Sequence, residues 1–253
     1  MLEGVSLTDE IAVIALDDDR FSGPKHSHRQ AQLLYAVSGV ISIRTEIGTF
    51  VVPPSRAVWL PAGMEHETSS PAGIQFRSIL VEKSAAGRLP GECRVVEITP
   101  LLRELILKLA EFAEDPGDDG RTDAVIRLLL MELSFQAAEP LGLPAPNHPG
   151  LARLCASIKA DLTETVSIKD AATMLHMSRA TFMRLFKRET GMSFTSWQQQ
   201  ARMLAALVLL AEGRNVLDVA LECGYNSPSA FSAMFRRSLG KPPSAYFRAK
   251  SRA

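Results

Sequence analysis

The feature that most restricts this chain is a motif written twice near its C-terminal end, at an offset of 49 residues. Ala171 corresponds to Ala220, Ser178 to Ser227, Phe182 to Phe231, Phe186 to Phe235 and Gly191 to Gly240. Lys187-Arg188 correspond to Arg236-Arg237, and Trp197 to Tyr246. A repeat with punctuated ends predicts two copies of one supersecondary unit. In the second copy Val216, Val219 and Ala220 form a short apolar stripe at helical spacing. Gly224 breaks that helix, since glycine accepts the positive φ of a helix-ending turn. Ser227 is placed to cap the next helix and Pro228 to open it. Phe231, Met234 and Phe235 give the new helix an apolar face. In the first copy Ala171, Met174 and Leu175 form the first stripe, Ser178 the cap, and Phe182, Leu185 and Phe186 the second stripe. Arg179, Ala180, Met183, Arg184 and Lys187 are left pointing outward.

Each copy therefore reads as a helix-turn-helix whose second helix presents small and basic residues. The DNA major groove admits one such helix, with its early residues at the base edges. One helical hairpin alone would fit plain helix packing equally well, and would not decide for DNA. Two copies at a fixed offset, both basic on the outward face, do.

The run SRATFMRLFKRETGMSFTSW, followed by ALECGYNSPSAFSAMFRRSLGKPPSAYFR, resembles the AraC/XylS transcription regulators over roughly the last hundred residues. The resemblance implies two helix-turn-helix units joined by a long helix, here Thr195 to Ala211, reading adjacent major-groove segments of operator DNA. It implies base contacts from Ala180, Met183 and Arg184 in the first recognition helix, and from Pro228, Ser229 and Ala233 in the second. Arg179, Lys187, Arg188, Ser232, Arg236 and Arg237 flank these as candidate phosphate contacts. One departure stands out: Leu175-His176 occupies the first turn where many members use Gly, which predicts a strained or differently shaped turn.

Charge supports the division of labour. Residues 151–253 carry 15 Lys+Arg against 7 Asp+Glu, and residues 1–150 carry 13 against 21. An acidic half beside a basic one predicts a different task for the former. No apolar run is long enough to cross a membrane, and the N-terminus lacks the pattern of a signal peptide, so the expected location is the cytoplasm. Cys93, Cys155 and Cys223 are too few and too scattered for a disulfide framework or a CxxC metal site.

Residues 1–82 read as β structure. Apolar runs at Ile11–Leu16, Leu33–Val37, Val40–Arg44, Thr49–Val52, Ala57–Leu60 and Gln75–Val81 alternate with turns such as Ser22-Gly23-Pro24 and Pro61-Ala62-Gly63. Short strands at regular spacing predict a sandwich or barrel. Within them, HSHRQAQLLYAVSG and PAGMEH resemble the two motifs of the cupin barrel. In metal-binding cupins these supply two His and a Glu, then a third His. The matching positions are His26, His28, Gln32 and His66, with Gln32 where the family has Glu. Residues i and i+2 of a strand share a face, so His26 and His28 can point together into a barrel. Three neutral imidazoles suit Zn, Fe, Ni or Cu. The expectation is one divalent transition metal, or a polar effector bound by the same histidines. Tyr35 and Trp59 are near enough in sequence to line the same cavity, although core packing is the expected place for Trp59.

Residues 99–139 change to helical period, with Thr99-Pro100 as the start and residues 114–120 as a break between two helices. Their apolar residues cover more than one face, which makes them a candidate homodimer surface, with Leu105 and Leu129 as test positions. Residues 140–149 hold four prolines and read as a linker. A helix at 150–162 opens the DNA-binding domain. The expected architecture is α+β: a cupin-like barrel at 1–98, a helical segment at 99–139, the linker, and an all-α double helix-turn-helix domain at 150–253. The expected function is transcription regulation in response to a small molecule or metal, with no catalytic residues and RNA polymerase as a further possible partner. The alternative is a cupin metalloenzyme, an oxygenase or isomerase, carrying an accessory DNA-binding domain.

Overall fold

The computed structural model describes residues 4–87, 89–115, 119–135 and 141–246. Residues 116–118 of the expected helix break and Pro140 of the expected linker lie outside them. The chain divides into two compact units, residues 1–45 with 50–140, and residues 46–49 with 141–253.

Among the described residues, the first unit contains ten strands and three helices. The strands up to the first helix are β1 (Val5–Ser6), β2 (Ile11–Asp18), β3 (Phe21–His26), β4 (Ala31–Ser38), β5 (Ile41–Thr45), β6 (Gly48–Val52), β7 (Arg56–Leu60), β8 (His66–Ser70) and β9 (Ile74–Val81). Then come α1 (Lys83–Ala86), β10 (Arg94–Glu97), α2 (Pro100–Glu114) and α3 (Asp119–Glu132). One sheet has the order β1-β2-β9-β4-β7-β10, and β6-β5-β8-β3 are neighbours in another. Every predicted apolar run is a strand. Four strands, β1, β3, β8 and β10, have no predicted apolar run to announce them. β3 occupies the predicted Ser22-Gly23-Pro24 turn, and β8 carries His66, Thr68 and Ser70 inward.

Alternation along β4 decides what faces what. Leu34 and Ala36 enter a core that draws also on Ile41, Ile43 and Val52 of the other sheet. Leu33 and Tyr35 point the opposite way, into a core formed with Leu102, Ile106 and Leu109 of α2 and Leu129 of α3. Trp59 of β7 lies in that second core too, and its Nε1–H donates to the Pro90 carbonyl at 2.8 Å. α2 begins where Thr99 accepts the Leu102 N–H at 3.1 Å, with Pro100 as its first residue.

The second unit contains β11 (Gly142–Pro144), α4 (Pro149–Ala160), α5 (Ile168–Met174), α6 (Arg179–Thr190), α7 (Phe194–Ala211), α8 (Val216–Glu222), α9 (Pro228–Leu239) and α10 (Pro243–Tyr246). The proline-rich segment is tied into this unit. Leu141 and Leu143 are buried, Trp197 Nε1–H donates to the Pro144 carbonyl at 2.9 Å, and the Glu189 carboxylate accepts the N–H groups of Asn147 and His148. Phe182, Phe186, Phe194 and Trp197 form an edge-to-face cluster around the first helix pair. Phe231, Phe235 and Tyr246 repeat it around the second.

The repeat is accurate to within one residue. The second helices of the two copies, α6 and α9, are both 12 residues long and start 49 positions apart. The helices before them start 48 apart. Ala172, not Ala171, is therefore the partner of Ala220: each accepts the N–H of the residue that follows the turn, Met177 and Tyr225, at 2.9 Å. The second turn carries one extra residue, Asn226, and the first takes its left-handed step at His176, φ 53°, where the second uses Gly224, φ 73°.

Candidate functional site

Two groups of residues carry chemistry, one in each unit. In the helical unit the recognition helices are placed by their caps. Ser178 accepts the Thr181 N–H and Ser227 the Ala230 N–H, both at 3.2 Å. Gly191 and Gly240 then end the helices in the left-handed conformation, giving their N–H groups to Lys187 and Arg236 carbonyls at 2.8 and 2.9 Å. Phe182 with Phe186, and Phe231 with Phe235, are fully buried. Burial of that stripe leaves Ala180, Met183 and Arg184 exposed on α6, and Pro228, Ser229 and Ala233 exposed on α9. Arg179, Lys187, Arg188, Arg236 and Arg237 are exposed as well, while Ser232 is half-buried. Arg188 lies 3.5 Å from Glu189 in an exposed ion pair.

Residues that no apolar stripe marks hold these helices in place. Gln198 of α7 is buried and clamps one peptide, accepting the Val166 N–H at 3.1 Å and donating to the Val166 carbonyl at 3.0 Å. Glu189 closes α6 against the chain entering α4. Only the polarity of Gln198 on an otherwise apolar helix face hinted at such a role.

In the β unit, His26, His28 and His66 offer ring nitrogens that all lie within 4.8 Å of one another. The geometric reason differs from simple strand alternation. His26 is the last residue of β3, beyond a register shift that follows Gly23, and His28 is in the loop after it. His66 opens β8 directly opposite His26. The Nε2 atoms of His26 and His28 are 3.1 Å apart, and the His26 and His66 ring centroids 4.4 Å apart. His26 Nδ1 lies 2.7 Å from the Pro24 carbonyl and His66 Nδ1 3.0 Å from the Met64 carbonyl. A carbonyl only accepts, so both Nδ1 atoms carry a proton, and in the neutral form each ring keeps its lone pair on Nε2. Burial, with His26 and His66 beside it, lowers the His28 pKa to about 4. Burial likewise lowers that of His66, against the hydrogen bond to Met64, which raises it. Both shifts favour the neutral form of His28 and His66.

These rings border a cavity of about 420 Å³ walled also by Ile14, Phe21, Leu34 and Phe76. Gln32 lines it. Its Nε2 donates to Ser78 Oγ at 2.8 Å, and its buried Oε1 has no partner. Tyr35 and Trp59 do not line it, because their parity on β4 and β7 sends them to the other face of the sheet. Cys93, Cys155 and Cys223 are separate, and burial pushes each thiol up to about 12, so they behave as inert apolar groups.

Comparison with known proteins joins the two halves. Residues 10–138 match the AraC-like ligand binding domain, and residues 171–249 match a helix-turn-helix domain. The HTH-type transcriptional regulator NimR of Escherichia coli (strain K12) is 35% identical over 228 residues, covering 90% of this chain and 83% of NimR. The thermoregulatory protein LcrF of Yersinia pestis is 27% identical, covering 88% of this chain and 82% of LcrF. The HTH-type transcriptional regulator YobQ of Bacillus subtilis (strain 168) is 27% identical over 95% of this chain and 96% of YobQ. With a ligand-binding domain followed by two helix-turn-helix units, the chain belongs to the AraC family of DNA-binding transcriptional regulators, which are not enzymes.

Proposed function

We propose that this regulator senses its signal through a divalent transition metal held by His26, His28 and His66, with a small-molecule effector completing the coordination. The observation that carries the reading is the convergence of three imidazoles on one cavity, two of them oriented by backbone carbonyls. Such second-layer hydrogen bonds are what orient metal-ligating histidines. For Zn–N bonds of about 2.0–2.1 Å, tetrahedral ligand nitrogens stand about 3.3 Å apart. The His26–His28 pair is already at 3.1 Å, so small ring rotations bring in His66. A three-His set leaves open positions for an effector. On this reading α6 and α9 insert into adjacent major-groove segments, Arg184 reads guanine, and the flanking Lys and Arg residues hold phosphates.

The protein would act in the cytoplasm as a homodimer on two operator elements. No helix among the described residues is long and apolar enough to cross a membrane. The exposed apolar residues Leu101 of α2 and Leu128 and Met131 of α3 are the surface for self-association. Leu105 and Leu129 are core residues, so acidic substitutions there would unfold the unit rather than separate subunits. An effector that favours one arrangement of α2 and α3 on their sheet would shift the population of DNA-binding states.

The test is elemental analysis of the purified protein together with binding to its own upstream DNA, before and after chelation. One equivalent of metal, lost in a His26→Ala/His66→Ala double variant that still folds and binds DNA, is the expected result. Full metal content in that variant would move the site elsewhere.

A further inference from the structure

The cavity has a charge imbalance that selects its ligand. Among the described residues no Asp or Glu lines it. The nearest carboxylates along the chain are held in exposed ion pairs: Glu65 with Lys25, which is itself a lining residue, at 2.5 Å, and Glu67 with Arg44 at 2.8 Å. Three imidazoles and one amide are neutral donors, so a dication held there would keep its full charge in a site partly withdrawn from water. That is costly until an anion arrives. Gln32 is 4% exposed, and one polar atom of its amide lacks a partner, so the wall is incomplete without a bound group. The remaining wall combines an apolar surface, with Phe21 and Phe76 stacked at 6.0 Å and 17° beside Ile14 and Leu34, with the polar side chains of Ser22, Lys25 and Thr68. A volume of about 420 Å³ sits at the small end of ligand pockets.

We propose that the effector is a small organic anion with an apolar, ring-sized body. Its carboxylate or phenolate oxygen binds the metal, and its body lies against Phe21, Leu34 and Phe76. This rests on the metal centre proposed above. Gln32 is then the specificity-determining residue. A glutamate in its place would neutralise the metal from within the protein and compete with the anion, whereas the amide leaves that charge for the effector. The unpartnered amide atom can hydrogen-bond a second polar group of the ligand and fix its orientation.

The full chain, stripped of metal, is reloaded with one equivalent of cobalt(II), whose visible absorption reports its ligand set. Benzoate, acetate and benzamide are then titrated. Benzoate is expected to change the cobalt spectrum and to bind at least about tenfold more tightly than acetate, because its ring is buried. Benzamide, of the same shape without the charge, leaves the spectrum unchanged. In Gln32→Glu, cobalt binds more tightly and benzoate about tenfold or more weakly, since like charges oppose each other at the metal. If that variant does not fold, the benzoate–benzamide comparison decides alone. Bound cobalt that ignores benzoate, or responds equally to benzamide, overturns the anion assignment and leaves the metal centre standing. Failure to bind cobalt overturns the metal centre, and this assignment with it.

Discussion

Replacing Gly224 by alanine should damage the second helix-turn-helix far more than the corresponding change damages a turn that needs only the backbone angle. Gly224 has φ 73°, and a Cβ there would meet the Leu162 carbonyl oxygen at 2.4 Å and the Thr163 carbonyl oxygen at 2.8 Å. Both are backbone atoms and cannot rotate away. Gly191 has the same φ of 73°, but its Cβ would meet nothing within 4 Å. Gly191→Ala therefore isolates the left-handed penalty, about 1–2 kcal/mol. Gly224→Ala adds the displacement of a packed backbone, about 1–3 kcal/mol as for overpacking, for a total of about 2–5 kcal/mol. In a unit of this size that lowers the melting temperature by roughly 10 °C or more. His176→Gly is the third point. It relieves a left-handed residue but adds chain entropy of about 0.5–1 kcal/mol, so it should be near neutral. Native-state hydrogen exchange of the α8 and α5 amides, read with operator affinity, measures all three. Equal losses in Gly191→Ala and Gly224→Ala would refute the argument that the close approach of residues 162–163, and not φ alone, demands glycine.

The other expectations follow from single sites. Arg184→Ala should lose about 1–3 kcal/mol of discrimination at one operator position, and uniform weakening across operator variants would remove its base-reading role. Lys187→Ala and Arg236→Ala should each flatten the log–log salt dependence of operator binding by about one unit while weakening all sequences alike. An unchanged slope in both would make them merely solvated. Met131→Glu, on the most exposed apolar residue of α3, should leave a folded monomer at micromolar concentration in sedimentation analysis, and a dimer that survives it would place the interface elsewhere. In metal-free protein His28 has its pKa lowered from 6.5 to about 4, so the unfolded chain binds the proton more readily across that interval. Stability from His28 is complete above pH 6.5 and lost as pH falls toward 4, and His28→Gln should remove part of that loss in melts at pH 7.5 and pH 5.

The helical half could be read closely from the residues because its signals are local. Ser178, Ser227, Thr99 and Pro228 sit where backbone N–H groups need an acceptor or can be dispensed with, and each caps or opens its helix. What escaped was the one-residue difference between the turns. The pairs Ala171/Ala172 and Val219/Ala220 are small and apolar on both sides, so either register satisfies a hydrophobic pattern. Only the hydrogen bonds into the Ala172 and Ala220 carbonyls distinguish them. β3 and β8 escaped for the same kind of reason. Gly23-Pro24 looks like a turn, and the inward positions of β8 are His66, Thr68 and Ser70, polar residues whose burial depends on partners far along the chain.

The cavity shows where a correct set of residues can be reached through incomplete geometry. His26 and His28 were paired by a two-residue strand period, yet the strand stops at His26 and the loop returns His28 to it. The motif spacing survives because the loop and the bulge together reproduce the convergence that alternation would give. Parity does govern β4, and there one step in register separates two roles. Gln32 and Leu34 face the cavity, whereas Leu33 and Tyr35 face α2. A shift of one residue would have buried a phenol beside the three histidines and put the amide in an apolar helix interface. The pairing of Gln32 with Leu80, and of Leu34 with Ser78, holds that register and places Ser78 where it fixes the Gln32 amide. The neutral donor is therefore built into the wall by the sheet itself, which is why a substitution at Gln32 tests ligand choice and not only the fit of one side chain.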